Sequence, residues 1–371
     1  MRLTWEAQPL RLKAPFRIAR STTRSKDAVL VRLDHDGLVG YGEAVASRYY
    51  RQDLAAILDT LNDLADVITG LTDPFALRDA PDILAARCPG QTSTLAALDA
   101  AAYDWIGKRT GRPVHDLLGL ASPNGRPTAL TLGIDAPEAT ARLARAAAAS
   151  GAPILKLKVG LATLDEDRAL VAEVRAGAPD ATLYLDANGG WSPEDASERI
   201  AALAEFRPAL VEQPIAPGQL DALARISAAS PVPVVADEDA NTFDDIPRLA
   251  GRVAGVNVKL IKCGGLHPAL TMIRAARAAG LQVMLGCMVS SSLGIAPAAH
   301  LADLADYLDL DGHLFLAHDP WRGLDALGGR LSLAERPGLG VERSTEPVAI
   351  GHATTGRPAR TGLAVREDDA D

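Results

Sequence analysis

The sequence predicts an α/β protein built on a long parallel sheet, with a separate α+β unit ahead of it. Three observations carry that reading. From about residue 130, short apolar runs alternate with alanine-rich amphipathic stretches, and near-continuous apolar runs between helices are strands of a parallel sheet buried on both faces. Before residue 120 the order differs: strands come first and helices after, the mark of an α+β arrangement. At 371 residues the chain has room for a barrel of roughly 200 to 250 residues and a second unit.

Taken in order, residues 1–45 read as a meander, with WEAQPLRL and AVLVRLDHDGLVGYGEA alternating about the turn signal Asp36-Gly37. Residues 53–119 read as helical, as in TLAALDAAAYDWIGKR. The repeat then begins. LTLGI is followed by PEATARLARAAAASG, ILKLKVG by DEDRALVAEVRAG, and TLYLDANGG by SPEDASERIAALAEF. It continues through LVEQP, PVVADE, GVNVKLI, QVMLGCM and YLDLDG. Ser192-Pro193-Glu194 predicts a helix start, with a cap, a first-turn proline and an acid near the positive end of the helix. Right-handed crossovers close eight such strands into a barrel or wind them into an open sheet. Beyond about residue 341 the chain turns polar and ends in REDDAD, so a poorly ordered tail is expected.

Composition narrows the function. Hydrophobic residues at 48% and charged residues at 23% are the balance of a soluble globular protein, and a net charge of −9 argues against nucleic acid. Cys88, Cys263 and Cys287 are too sparse and too widely spaced for a disulfide framework, which points to reduced thiols in the cytoplasm. Arg2, Glu6, Arg11 and Lys13 break up the N-terminus, so no signal peptide is expected. The stretch from Ala278 to Ala302 carries no formal charge and is long enough to span a bilayer. Ser290, Ser291, Ser292, Gly294 and Pro297 interrupt it, and it reads as a buried strand followed by a helix.

The chemistry lies in the acids and lysines. Asp186 ends LYLD, Glu212 ends LVE and Asp237 ends VVAD, at steps of 26 and 25 residues. One strand-helix unit per step puts three carboxylates at the C-terminal ends of adjacent strands, where barrel active sites form. Three such oxygen donors suit Mg²⁺, one ion per site. One acid could simply cap the next helix; three in step are harder to explain that way. Only seven of the 38 basic residues are lysines, and four of these, Lys156, Lys158, Lys259 and Lys262, lie on or beside two strands. Lysine, unlike arginine, can lose its proton. Lys156 and Lys158 share a strand face toward the interior, and Lys259 reaches it from the sixth strand, across the barrel. Lys262 is expected to face outward or lie on the loop. A carboxylate held by Mg²⁺ has a weakly acidic α-proton whose removal gives an enediolate, and two opposed lysines can remove and return it on opposite faces. Burial and crowding among cations should lower a lysine's pKa toward a neutral amine. His313 and His318 are expected at the surface rather than on a metal.

With these residues placed, the chain resembles the enolase superfamily, and within it the muconate-lactonizing subgroup. The likeness spans about residues 1–340 and rests on LKLKVG, DANGGW, VEQP, ADE, NVKLIKCGG and GCM. It implies a modified TIM barrel, (β/α)7β, over residues 123–318, an α+β capping domain over 1–122, a segment over 319–341 returning to the cap, and a polar tail over 342–371. It implies Lys158 and Lys259 as the two bases, with Asp186, Glu212 and Asp237 on Mg²⁺; a lysine or histidine base beside such an ion is the familiar pattern of that superfamily. Lys156 resembles the lysine that meets the substrate carboxylate.

LDLDG resembles the DxD motif of dipeptide epimerases, in which two aspartates, here Asp309 and Asp311, hold the substrate's α-ammonium. Thr131, Cys287 and Val289 match further substrate-binding positions. Arg24 lies on Ser21–Asp27, expected to be a loop over the substrate, where similar epimerases bind an acidic second residue. Asp239 and Ser290 depart from the commoner serine and glutamate near the substrate. The expected activity is epimerisation of an L,L-dipeptide at its second α-carbon. The alternatives are an N-acylamino acid racemase, an o-succinylbenzoate synthase, a cycloisomerase, or a non-catalytic ligand-binding barrel. The expected partner is the small dipeptide, with no nucleic acid and no membrane; a homo-oligomer is left open.

Overall fold

The structure is a computed structural model and describes residues 1–344. Eight short parallel strands follow one another round a barrel: β6 (Leu130–Leu132), β7 (Ile154–Lys158), β8 (Thr182–Asp186), β9 (Pro208–Glu212), β10 (Val234–Ala236), β11 (Gly255–Val258), β12 (Gln282–Gly286) and β13 (Tyr307–Asp309). The Ala129 N–H donates to the Leu308 carbonyl at 2.9 Å, which brings the first strand against the last. At least one helix lies in each crossover, so the topology is the (β/α)7β barrel rather than an open sheet.

Inward-facing positions alternate along each strand, and their chemistry changes with height. Ile154, Tyr184, Leu210, Val235 and Met284 form a buried apolar cluster. Two residues further along the same strands stand Lys156, Asp186, Glu212, Asp237 and Gly286. The floor is therefore closed by hydrocarbon and the charged groups sit above it. A larger cluster packs the outward strand faces, Leu155, Leu157, Leu183, Leu185 and Val211 among them, against the crossover helices.

The cap precedes the barrel, with β1 (Arg2–Ala7), β2 (Leu10–Ile18), β3 (Ser21–Lys26), β4 (Ala28–His35) and β5 (Leu38–Val45). It is not a simple meander. β4 pairs with both β1 and β5, while β2 and β3 form a separate hairpin, so the segment expected to be a loop over Ser21–Asp27 is largely strand. The turn at Asp36-Gly37 is as expected, with φ of 46° and 74°. The helix Thr92–Thr110 lies so close on β5 that a Cβ at Gly42 would stand 1.9 Å from the Ala97 carbonyl.

Two further differences stand out, at the start of one helix and in the expected tail. Ser192-Pro193-Glu194 makes a turn in which Ser192 Oγ accepts from the Asp195 N–H at 3.1 Å, and the helix begins at Ala196. The chain after the barrel packs back on the helix Thr92–Thr110, the Leu339 N–H donating to Asp104 Oδ1 at 2.9 Å. Glu342–Arg343, inside the expected polar tail, pair with Trp321–Arg322; the rest of that tail, from residue 345, lies outside the described residues. The uncharged stretch forms β12 and the helix Ser292–Ala299, and among the described residues no helix is long and apolar enough to cross a membrane.

Candidate active site

A cavity of about 330 Å³ opens at the C-terminal mouth of the barrel, walled on one side by the cap. Lys156, Lys158, Asp237, Lys259, Asp309 and Asp311 line it, as do Thr131, Cys287 and Val289. Asp186 and Glu212 lie directly beneath, fully buried. Every residue expected at the site reaches this one place except Arg24.

The charges interlock. Lys156 stands 2.6 Å from Asp309, 2.6 Å from Glu212 and 3.0 Å from Asp186. Lys158 meets Asp186 Oδ2 at 2.6 Å, and Lys259 meets Asp237 Oδ2 at 2.6 Å. Thr131 joins Asp309, at the end of β13, to Asp311 just past it: its N–H donates to Asp311 at 2.6 Å and its hydroxyl lies 3.1 Å from Asp309. Burial and the neighbouring Asp309 push the Asp311 carboxyl above its ordinary range.

The Lys259 ammonium differs from the expectation of a lowered pKa. Burial pulls it down, but Asp237 and Glu212 outweigh burial and hold it above its ordinary value. Lys156 is raised in the same way, against burial, by Asp186, Asp309 and Glu212. A lysine among cations loses its proton more easily; a lysine between carboxylates keeps it.

Among the described residues, no three His, Cys, Asp or Glu side chains are arranged, as they stand, to hold a metal ion, because ammonium groups lie against the acids. Two observations nonetheless fit a hard divalent cation at Asp186, Glu212 and Asp237. Glu212 Oε2 is fully buried, with the Lys156 ammonium at 2.6 Å as its ion-pair partner among the described residues. Burial and repulsion from Asp186 push the Glu212 carboxyl upward, a strain that a cation among the three acids would relieve. The donor set is all oxygen, as Mg²⁺ requires.

Several residues at the site were not picked out from the sequence. Lys262 is buried, not outward. It donates to Asp237 O and Oδ1 at 2.6 Å each, to Ala240 O at 2.9 Å and to Asn257 O at 3.1 Å. Its signal was present: it follows Lys259 by three residues, and the short helix Leu260–Cys263 returns it to the same side. Asn257 donates to Glu212 Oε1 at 2.8 Å. It has room because position 286 is glycine; a Cβ there would stand 2.6 Å from Asn257 Oδ1.

Arg20, at the tip of the β2–β3 hairpin, lines the cavity. It pairs with Glu238 at 2.8 Å, donates to the Asn188 carbonyl at 2.8 Å and stacks on Tyr49. Arg24 is exposed and does not line the cavity, because it alternates with the buried Thr23 along β3. Asp239 accepts from Gln213 Nε2 and the Gly218 N–H, and Ser290 is buried beside the cavity wall rather than in it. His313 is buried, not superficial, and burial lowers it to about 4.

Residues 2–119 match the family described as mandelate racemase / muconate lactonizing enzyme, N-terminal domain. Residues 139–347 match the enolase C-terminal domain-like family. The L-Ala-D/L-amino acid epimerase of Pedosphaera parvula is 36% identical over 91% of this chain and 97% of its own. The hydrophobic dipeptide epimerase of Enterococcus faecalis is 35% identical over 90% and 97%. A crystal structure of the dipeptide epimerase from Enterococcus faecalis V583, complexed with Mg and L-Leu-L-Tyr, superposes with a TM-score of 0.87 at 33% identity, covering 92% of this chain and 99% of that one.

Proposed function

The chain belongs to the mandelate racemase and muconate lactonizing enzyme group of the enolase superfamily, and from that premise we propose that it is a Mg²⁺-dependent dipeptide epimerase. It inverts the second α-carbon of an L,L-dipeptide by moving one proton off and one proton on. The observation that carries this reading is the pairing of two opposed lysines, Lys158 on β7 and Lys259 just beyond β11, with Asp309 at the end of β13 and Asp311 just past it, all at one cavity.

The roles follow from position. Strands two and six of an eight-stranded barrel face each other, so the α-carbon between Lys158 and Lys259 presents one face to each amine. One lysine takes the α-proton as a free amine, a role open to Lys259 only when a cation offsets the Asp237 and Glu212 charges that otherwise hold it protonated, while the other, as an ammonium, supplies a proton to the opposite face. Lys156, fixed between Asp186, Glu212 and Asp309, offers positive charge to the substrate carboxylate. Asp309 and Asp311, oriented by Thr131, receive the ammonium of the first residue. Asp186, Glu212 and Asp237 hold Mg²⁺, which supplies Lewis-acid stabilisation of the charge that develops on the substrate carboxylate. Lys262 and Asn257 orient Asp237 and Glu212.

Substrates with a blocked amino group, as an N-acylamino acid racemase or a cycloisomerase would take, bring no cation to the pair; Asp309 keeps Lys156, but Asp311 is left a buried carboxylate with no cation beside it, which is costly. The acidic second residue expected from Arg24 loses its support, since Arg24 does not reach the cavity. The free thiols suit a reducing compartment, and we place the enzyme in the cytoplasm. The decisive test is deuterium uptake at the second α-carbon across a panel of L,L-dipeptides and their N-acetylated forms. Turnover of free dipeptides alone supports the reading; equal turnover of the acetylated forms overturns it.

A further inference from the structure

The motif DANGGW contains a residue that the reaction as described does not use. Trp191 is buried and its indole N–H donates to Asp167 Oδ2 at 2.8 Å. Asp167 sits in the first turn of the helix Leu164–Gly177, is fully buried, and is not in the cavity. Its carboxylate accepts four hydrogen bonds. Oδ1 takes the N–H groups of Gly160 and Leu161 at 3.0 Å each, and Oδ2 takes Trp191 and the Arg199 guanidinium at 2.8 Å each. Arg199 also donates to the carbonyls of Leu161 at 3.1 Å and Ala162 at 2.9 Å.

Apart from the bond to Trp191, which lies in the loop after β8, these contacts converge on the exit of β7. Lys158 is that strand's last residue, and Val159 still donates to the Asp186 carbonyl at 2.9 Å. The chain then turns at Gly160, with φ of +94°, where a Cβ would stand 2.8 Å from the Ala187 carbonyl. The backbone from Gly160 to Ala162 is thus held by one buried ion pair at four points: two N–H groups on the carboxylate and two carbonyls on the guanidinium. None of these bonds reaches the segment that carries Lys259.

We infer that Asp167 and Arg199 are positioning residues for Lys158 and therefore for one stereochemical face of the reaction only. The inference rests on the two-base reading above. A carboxylate fully occupied by four donors is rigid, and a strand end so held keeps its terminal lysine within the narrow tolerance that proton transfer demands. Loss of the clamp lets the exit of β7 shift, while β11 and Lys259 keep their own supports.

The test is exchange of the α-proton with D₂O, measured separately from the L,L and the L,D epimer of L-Ala-L-Glu, or of whichever panel dipeptide turns over fastest. Saturating Mg²⁺ is used throughout. Lys158→Ala and Lys259→Ala calibrate which epimer each lysine serves. If neither variant is one-sided, the two-base reading fails, and this inference with it. Given that calibration, Asp167→Asn, which turns an amide nitrogen toward donors, should slow exchange on the Lys158 face by about tenfold or more. The Lys259 face should stay within about threefold. Arg199→Lys keeps the ion pair but loses geometry at the two carbonyls, and guards against misfolding of the first variant; it should show the same bias, smaller in size. A fall on both faces alike in the folded variants, with or without a lower melting temperature, assigns Asp167 to general stability and overturns the inference.

Discussion

Replacing Glu43 by glutamine isolates one buried charge where the cap meets the barrel. Glu43 on β5 is 5% exposed. Its Oε1 accepts from the Ser291 N–H at 2.8 Å and its Oε2 from the Ser291 hydroxyl. Burial raises its carboxyl from 4.5 to about 7, against the lowering effect of the two Ser291 hydrogen bonds, with Asp319 adding to the rise. The folded state therefore binds this proton more tightly than the unfolded chain does. Stability from this group is fully present below about pH 4.5 and is lost as pH rises through about 7. At about 1.4 kcal/mol for each tenfold change in proton affinity, the loss comes to about 3.5 kcal/mol.

Glutamine keeps the shape and carries no charge. Its carbonyl can accept the Ser291 N–H, and its amide can donate to the Ser291 oxygen. Glu43→Gln should match the wild type near pH 4.5 and exceed it by about 1–3 kcal/mol at pH 8, about 1–4 °C in melting temperature for a chain of this size. The assay is thermal unfolding of both proteins from pH 4.5 to 8. The difference between them is the quantity of interest, since titrations common to both cancel. A difference that does not change with pH, or a variant less stable than the wild type at pH 8, would refute the reasoning.

Mg²⁺ at one hundred times its dissociation constant should stabilise the protein by about 2.7 kcal/mol; Asp237→Asn should abolish that rise in melting temperature, and a rise that survives removes Asp237 from the metal. Asp311→Asn should cost about 2–5 kcal/mol of transition-state binding with a free dipeptide; an unchanged kcat/KM would release Asp311 from ammonium recognition. Gly286→Ala puts a methyl 2.6 Å from Asn257 Oδ1 and should cost about 1–3 kcal/mol of stability through overpacking. It should also weaken Mg²⁺ binding through Glu212, and unaltered Mg²⁺ titration would break that link.

The sequence carried most of the barrel because its signals are local: apolar strands, alanine-rich helices, and acids that recur once per unit. The site residues on strands were legible for the same reason, since alternation dictates which way Lys156, Lys158 and Asp186 point. What it did not carry was decided by packing across distance. Arg24 and Arg20 are both arginines near a turn, and only the register of the β2–β3 hairpin sends one outward and the other to Glu238. Lys262 reads from the sequence as outward-facing or on the loop, although its spacing from Lys259 already allows a shared face. The pKa of Lys259 depends on which charges lie nearest, and the order of charges along the chain does not disclose that.

The hydrocarbon plug beneath the charged layer has a kinetic consequence. Ile154, Tyr184, Leu210, Val235 and Met284 leave the barrel no rear exit, so reactant and product share a single doorway. Each epimer must depart before the other can enter, which makes the two mutually exclusive occupants. In a reversible inversion, the accumulating isomer then competes for the site and slows the forward reaction. Net flux in one direction consequently depends on whatever removes the product outside the enzyme, not on the enzyme itself.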